Sequence, residues 1–370
     1  MYSHSRKDVV VIGAGFFGCA LVQHLQSLES VGRVTLIDKS HEPLSVASRI
    51  NQARIHNGYH YPRSLSTAFA SHRRYAEFKR AWPSAVFSNF DHTYAIARHG
   101  SNVSANQFRA TMEAIGAPVR VLGSRDKQAF EFEPRFIDTA FRVQEEAFNY
   151  LELRTWAYEV LDNSKTTYLP NESVARVAKN NLGNTEIFLE SGTTLSTDFV
   201  FNVTYAGIEA IDGISGELSG RFRYEKAAMV LVSSPNVVGN ALTVMDGPFF
   251  SLMPYPAVEG AHTFSHVEYT PYLKSTRNPR EVPELTTEEI ESQIFRAMRL
   301  DAAKYVPCLE DLEFEGALQT TKVILQKSDL DDSRPILFYR HSLENCYSIL
   351  GGKLDNVFEM IDYMKKEVDL

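Results

Sequence analysis

Val9-Val10-Val11-Ile12-Gly13-Ala14-Gly15-Phe16-Phe17-Gly18 is the stretch whose reading decides the fold. Four β-branched residues in a row suit a parallel strand buried on both faces. The next six match G-x-G-x-x-G. Leu21, Val22, Leu25 and Leu28 then follow at the spacing of one helix face. A second strand, Val34-Thr35-Leu36-Ile37, ends at Asp38, twenty residues after Gly18.

A glycine motif by itself is a weak signal. Placed between a strand and a helix, with an acid at that distance, it carries a mechanism. Gly13 permits the tight turn, Gly15 lets backbone approach a pyrophosphate, and Gly18 lets helix and strand pack closely. Phe16 and Phe17 open the helix, whose N-terminus offers N–H groups and the positive end of its dipole to phosphate. Asp38, with Lys39 after it, stands where a carboxylate accepts hydrogen bonds from an adenosine ribose. Its charge would repel a 2′-phosphate, which disfavours NADP. The expectation is an α/β chain opening with a Rossmann-like, dinucleotide-binding βαβ unit.

Composition agrees with a folded enzyme-sized chain. The 370 residues are 44% hydrophobic and 23% charged, which excludes disordered, collagen-like and coiled-coil classes. Two or three domains fit that length. Net charge is −8, against a nucleic-acid-coating protein. Apolar runs are too short for a membrane span. Arg6-Lys7 before Val9 to Leu21 imitates a secretory leader, but Asp8 and three glycines interrupt it, so no cleavage is expected. Cys19, Cys308 and Cys346 are too few and too scattered for a disulfide framework or a zinc site. A cytoplasmic setting fits, no metal is expected, and nothing specifies an oligomer.

Ser45 to Pro62 packs hydroxyl, amide, imidazole and guanidinium groups into eighteen residues, a density that predicts an extended strip along a ligand. Within it, Ala47-Ser48-Arg49-Ile50-Asn51 and Ile55-His56-Asn57-Gly58-Tyr59-His60-Tyr61-Pro62 resemble the strip that follows the βαβ unit in FAD-dependent oxidoreductases of the D-amino-acid oxidase, glycine oxidase, 2-hydroxyglutarate oxidase and glycerol-3-phosphate dehydrogenase type. The resemblance implies FAD. It sets Ser48 and Arg49 near the pyrophosphate, Asn51, Gln52 and Ala53 beside the isoalloxazine, and His56 next to the flavin.

Later segments extend the resemblance. Ser173-Val174-Ala175-Arg176-Val177, a hairpin around Ser191-Gly192 and the strand Asp198 to Asn202 resemble the return to the FAD domain, with Val174 on the adenine side. The family's Asn-Ala-Ala-Gly reads Asn202-Val203-Thr204-Tyr205 here, so tyrosine replaces the expected glycine. Near the end, a strand over Tyr347 to Leu350 leads into Gly351-Gly352-Lys353-Leu354 and a helix. The resemblance sets this turn at the pyrimidine end of the flavin, where helix N–H groups would balance negative charge.

The resulting fold class is α/β, a Rossmann-like FAD-binding domain with a discontinuous, mainly antiparallel substrate domain. The expected division is 1–85, 150–215 and 335–370 for FAD, and 86–149 and 216–334 for a small-molecule substrate. Thr286 and Glu289 form a capping-box pattern for a helix with Ile290, Ile294 and Met298 inward. Flavin supplies the redox chemistry, so the protein must orient a C–H bond, bind a charged end and manage a proton. Arg334, before Pro335, resembles the family arginine that grips a substrate carboxylate, with a surface pairing to Asp331 or Asp332 as the alternative. His56, His60 and His266, in that order, are candidates for the base. Arg49 and Arg54 face either cofactor phosphate or substrate. The leading reading is oxidation of a CH–OH or CH–NH bond in a small polar, carboxylate-bearing molecule. A mutase-like FAD enzyme without net redox and a catalytically lapsed nucleotide-binding protein are the alternatives.

Overall fold

The computed structural model describes residues 6–123, 126, 130–279, 281–326 and 336–370. Among the described residues, most strands join one of two large sheets. The first runs Leu337–Arg340, Cys346–Leu350, Phe199–Asn202, Lys7–Ile12, Val31–Asp38, Thr166–Pro170. Its central pairings are parallel, with Val9 opposite both Phe199 and Val34, while Leu337–Arg340 closes the edge antiparallel. Val9 to Ile12 are all buried, as their β-branched run requires. Helices Phe16–Gln26, Tyr150–Leu161 and Asn356–Glu367 cover one face. The meander Val174–Lys179, Thr185–Leu189, Thr194–Thr197 covers the other through Val174, Val177, Ile187 and Leu189.

The first helix has no side-chain cap from Gly15. Leu21, Val22 and Leu25 hold it instead. Each is fully buried, contributing about 2 kcal/mol. Leu28 lies past the helix end at Gln26, partly buried against the same core. Gly18 is obligatory, because a Cβ there would sit 1.8 Å from the Gly13 carbonyl oxygen.

The second sheet runs Pro271–Ser275, Phe222–Ser233, His262–His266, Phe250–Pro254, Asn240–Met245, Asp91–Ala97, Ile137–Val143, Val119–Val121, with Glu313–Leu325 also paired to Phe222–Ser233. It is antiparallel except where Asn240–Met245 meets Asp91–Ala97. Lys274 and Ser275 close the edge strand Pro271–Ser275. Thr286 and Glu289 form the capping box. The helix it starts is not α-helical throughout. Ile290–Phe295 winds as a π-helix before Arg296–Tyr305, which lets Ile290, Ile294 and Phe295 all turn inward. No helix of the described residues is long and apolar enough to cross a membrane.

Candidate active site

The site is built where the strip after the βαβ unit meets the second sheet and the C-terminal turn. The strip is not extended. Asn51 folds it, donating from Nδ2 to the carbonyls of Ala47 at 3.1 Å and Ser48 at 2.9 Å while its Oδ1 accepts the Ala53 N–H at 2.7 Å. Ala53 is left-handed at φ +54° and Gly58 at +90°. Side-chain hydrogen bonding of this kind competes with strand pairing, so a polar segment that reads as extended becomes a series of turns. Backbone bonds from Ile55 to Glu146 and from Phe148 to Ala53 pin it down.

The nucleotide end is a cradle. The Phe16 N–H donates to Ser48 Oγ at 3.0 Å, placing that hydroxyl at the helix N-terminus. Gly13 is at φ +110°, and a Cβ there would lie 2.8 Å from the Val203 oxygen. Asp38 ends its strand with Oδ2 accepting from Ala14 N–H at 2.6 Å and Oδ1 from Ser40 N–H at 2.7 Å. Each oxygen keeps a second lone pair for a ribose hydroxyl. Lys39 is exposed beside it. Val174 packs with Ile12 and Ile37 under this end. Arg49 is exposed over the Tyr150 ring, 5.7 Å from its centre. Tyr205 is at φ +53°, so the backbone at the family's glycine position does adopt a glycine-like conformation.

The other end brings the strip to the twin-glycine turn. Ser71 Oγ reaches the His56 carbonyl at 3.3 Å and Asp355 Oδ2 at 3.1 Å. Arg54, Ile55, His56, Tyr75, Phe78, Leu354 and Asp355 line one small cleft. Lys353 Nζ lies 4.8 Å from the centre of the Tyr61 ring, which packs 5.7 Å from His56 and 5.9 Å from His60. Gly351 is pressed against Phe17, whereas a Cβ on Gly352 would meet nothing within 4 Å. The glycine cradle, Ser48 and Asp38 suit FAD.

The helix after the turn does not present the open N-terminus expected. The N–H groups of Asn356, Val357 and Phe358 bond back to the carbonyls of Lys353, Leu354 and Asp355, and Asp355 occupies the cap. The positive charge here is Lys353, only 7% exposed and 3.6 Å from Asp355. Burial opposes its charge, but Tyr61, Asp355 and Glu359 outweigh that and hold its pKa above the usual lysine value. Burial pushes Glu359 up toward the protonated form.

Behind His56 sits a buried polar group of which sequence reading found only Arg54, and there Arg54 faces Glu145 rather than phosphate or substrate. Arg54 Nη1 bonds Glu145 Oε2 at 2.7 Å and the Tyr94 hydroxyl, and its Nη2 reaches Thr243 Oγ1 at 3.0 Å and Ser251 Oγ at 3.2 Å. Tyr94 donates to Glu145 Oε2 at 2.6 Å. His92 Nδ1 is 3.7 Å from the same oxygen. Burial, then Arg54, drives the His92 pKa far down, and burial drives that of Tyr94 far up. The available signal was a pair of adjacent acids, Glu145-Glu146, directly before the apolar Ala147-Phe148.

His266 does not join the site. Ser265 and Thr263 face the strip, accepting from Gln52 Nε2 and donating to the Gln52 carbonyl at 3.5 Å. Alternation along the strand therefore turns His266 the other way. Its Nδ1 accepts the Glu268 N–H at 3.2 Å and its Nε2 meets Asp301 at 3.1 Å. Both ring nitrogens are thus engaged on the side away from the strip. Arg334 lies outside the described residues.

A family profile described as FAD dependent oxidoreductase (DAO) matches residues 8–337. The chain belongs to this family. As a DAO-family FAD-dependent oxidoreductase it is similar to the FAD-dependent monooxygenase FPY4 of Fusarium mangiferae, 24% identical over 351 residues, covering 94% of this chain and 87% of that protein. Its fold is similar to glycine oxidase from Geobacillus kaustophilus (TM-score 0.73, 12% identity, 99% and 96% of the two chains). L-proline dehydrogenase from P. horikoshii is comparable (TM-score 0.72, 14% identity, 99% and 95%). Among solved relatives of this fold, L-alpha-glycerophosphate oxidase from Mycoplasma pneumoniae has FAD bound (TM-score 0.68, 14% identity, 97% and 93%).

Proposed function

We propose that this enzyme oxidises a CH–NH or CH–OH bond in a small polar, carboxylate-bearing substrate. FAD, when bound, supplies the acceptor for the hydride at N5. The observation that carries the reading is the meeting of His56, His60 and Tyr61 with the buried ammonium of Lys353 where strip and turn join.

Each residue has a task there. Lys353 offers a held positive charge to a carboxylate, strengthened because few water molecules reach it. Arg334 keeps its sequence-based assignment as a second carboxylate partner. His56, 19% exposed, takes one proton as the C–H bond is broken, with His60 beside it as the other candidate. The Tyr61 ring separates Lys353 from the imidazoles and limits water. Ser48, Asp38 and the three glycines hold the nucleotide. In this reading the division at 85/86, 149/150, 215/216 and 334/335 separates cofactor and substrate domains. Cytoplasmic placement belongs to the same proposal, supported by the free thiols Cys19, Cys308 and Cys346.

The test is anaerobic mixing of FAD-loaded protein with α-amino acids, α-hydroxy acids and the matching amines and alcohols that lack the carboxylate. The expected result is bleaching of the yellow colour by carboxylate-bearing compounds. Lys353→Met is expected to raise their half-saturating concentration at least tenfold, on the order of one charge-assisted hydrogen bond. Equal bleaching by the matching compounds without a carboxylate would remove the substrate class. No bleaching by any compound, with dithionite still effective, would remove the reaction.

A further inference from the structure

We propose that Glu145 is a positioning residue that raises the proton affinity of His56, an inference that rests on the assignment of His56 as proton acceptor. Glu145 Oε1 lies 3.9 Å from His56 Nδ1. The carboxylate cannot turn away. Oε2 is held by Arg54 and Tyr94, and Oε1 accepts the Asn57 N–H at 3.0 Å. Its side chain has no exposure, so its field at the imidazole is fixed and barely screened.

The groups around His56 come from every element packed on it. The strip supplies Arg54, His60 and Tyr61. Helix Leu65–Ala81 supplies Ser71 and Tyr75. The C-terminal turn supplies Asp355, with Lys353 behind Tyr61. Of the other acids, Glu146 is bonded to Tyr75 and Lys79, and Asp355 meets Ser71 and Lys353 through Oδ2 while its buried Oδ1 has no hydrogen-bond partner among the described residues. Glu145 thus presents its charge to Nδ1 and offsets the neighbouring Arg54. The imidazolium that forms when His56 takes the substrate proton is stabilised by this charge.

The experiment uses FAD-loaded protein labelled with 13C at the histidine rings, the His56 signal being assigned by its loss in His56→Gln. In Glu145→Gln the titration midpoint of His56 is expected to fall by at least about one pH unit, the usual effect of a close opposite charge. Tyr94→Phe removes a hydrogen bond to the same carboxylate but keeps its charge. It should lower thermal stability while moving the midpoint by less than about 0.3 unit. A merely structural Glu145 would give lower stability in both variants and an unmoved midpoint in both, which overturns the proposal. If Glu145→Gln does not fold, Glu145→Asp, which withdraws the charge by one methylene, is read in the same direction. Failure of the underlying reading looks different. His56→Gln would then bleach at the wild-type rate with an accepted substrate while the Glu145→Gln midpoint still shifted.

Discussion

Removing Arg54 alone should be more damaging than removing Arg54 and Glu145 together. The two side chains are 1% and 0% exposed and 2.7 Å apart. Arg54→Met leaves the Glu145 carboxylate, among the described residues, with the Tyr94 hydroxyl and the Asn57 N–H as its hydrogen-bond donors. Stranding one member of a buried pair costs about 3–5 kcal/mol. At roughly 2.1 cal/mol/K of unfolding entropy per residue, 370 residues give about 0.8 kcal/mol/K. The loss corresponds to a fall in Tm of about 4–6 °C. Glu145→Leu should cost a similar amount, because it strands the guanidinium. The double variant Arg54→Met/Glu145→Leu removes both charges, so it should lose no more than either single one. The resulting coupling is at least about 3 kcal/mol. The assay is thermal unfolding of the four proteins at saturating FAD, which equalises ligand stabilisation. Single losses under about 1 kcal/mol, or a double loss equal to the sum, would refute the idea that the pair is a closed, dry unit.

Gly18→Ala should weaken FAD binding more than tenfold in a fluorescence titration, since its methyl would collide with the Gly13 backbone 1.8 Å away. Asp38→Asn should weaken FAD about 10- to 100-fold, the scale of a lost hydrogen bond to a charged group, in the same titration. His92 has a folded-state pKa well below 6.5, so the unfolded chain binds a proton that the native state refuses. Stability from this residue is therefore present above pH 6.5 and is lost as pH falls below it. By pH 5.5 the loss reaches about 1.4 kcal/mol. Urea unfolding of His92→Gln should show a pH 7.5-to-5.5 decline smaller by that amount.

The βαβ unit was legible because each of its residues has a local reason. Val9 to Ile12 can be satisfied only as a buried strand, and Gly13 and Gly18 sit where a Cβ collides. The Thr286–Glu289 cap was legible for the same reason. The strip from Ser45 to Pro62 was found, but its shape was not. Composition shows that it is polar, whereas the turn depends on where the Asn51 amide reaches. His266 misled because its strand has one face toward the strip and one toward the helix Arg296–Tyr305. Which face a residue takes is set by sheet register, and a one-residue change reverses it. Glu145 escaped notice because its partners, Arg54 and Tyr94, are 91 and 51 residues away. Tyr205 shows the converse, a backbone geometry kept while the residue that usually permits it is gone.

The central claim is that the flavin ring lies between the strip and the closing glycine turn. The most direct measurement is a crystal structure of the FAD-loaded protein. The expected density places the isoalloxazine in contact with both Asn51–Ala53 and Gly351–Leu354, with the diphosphate at the N-terminus of helix Phe16–Gln26. A ring bound against one segment and separated from the other by protein or bulk solvent would contradict the account.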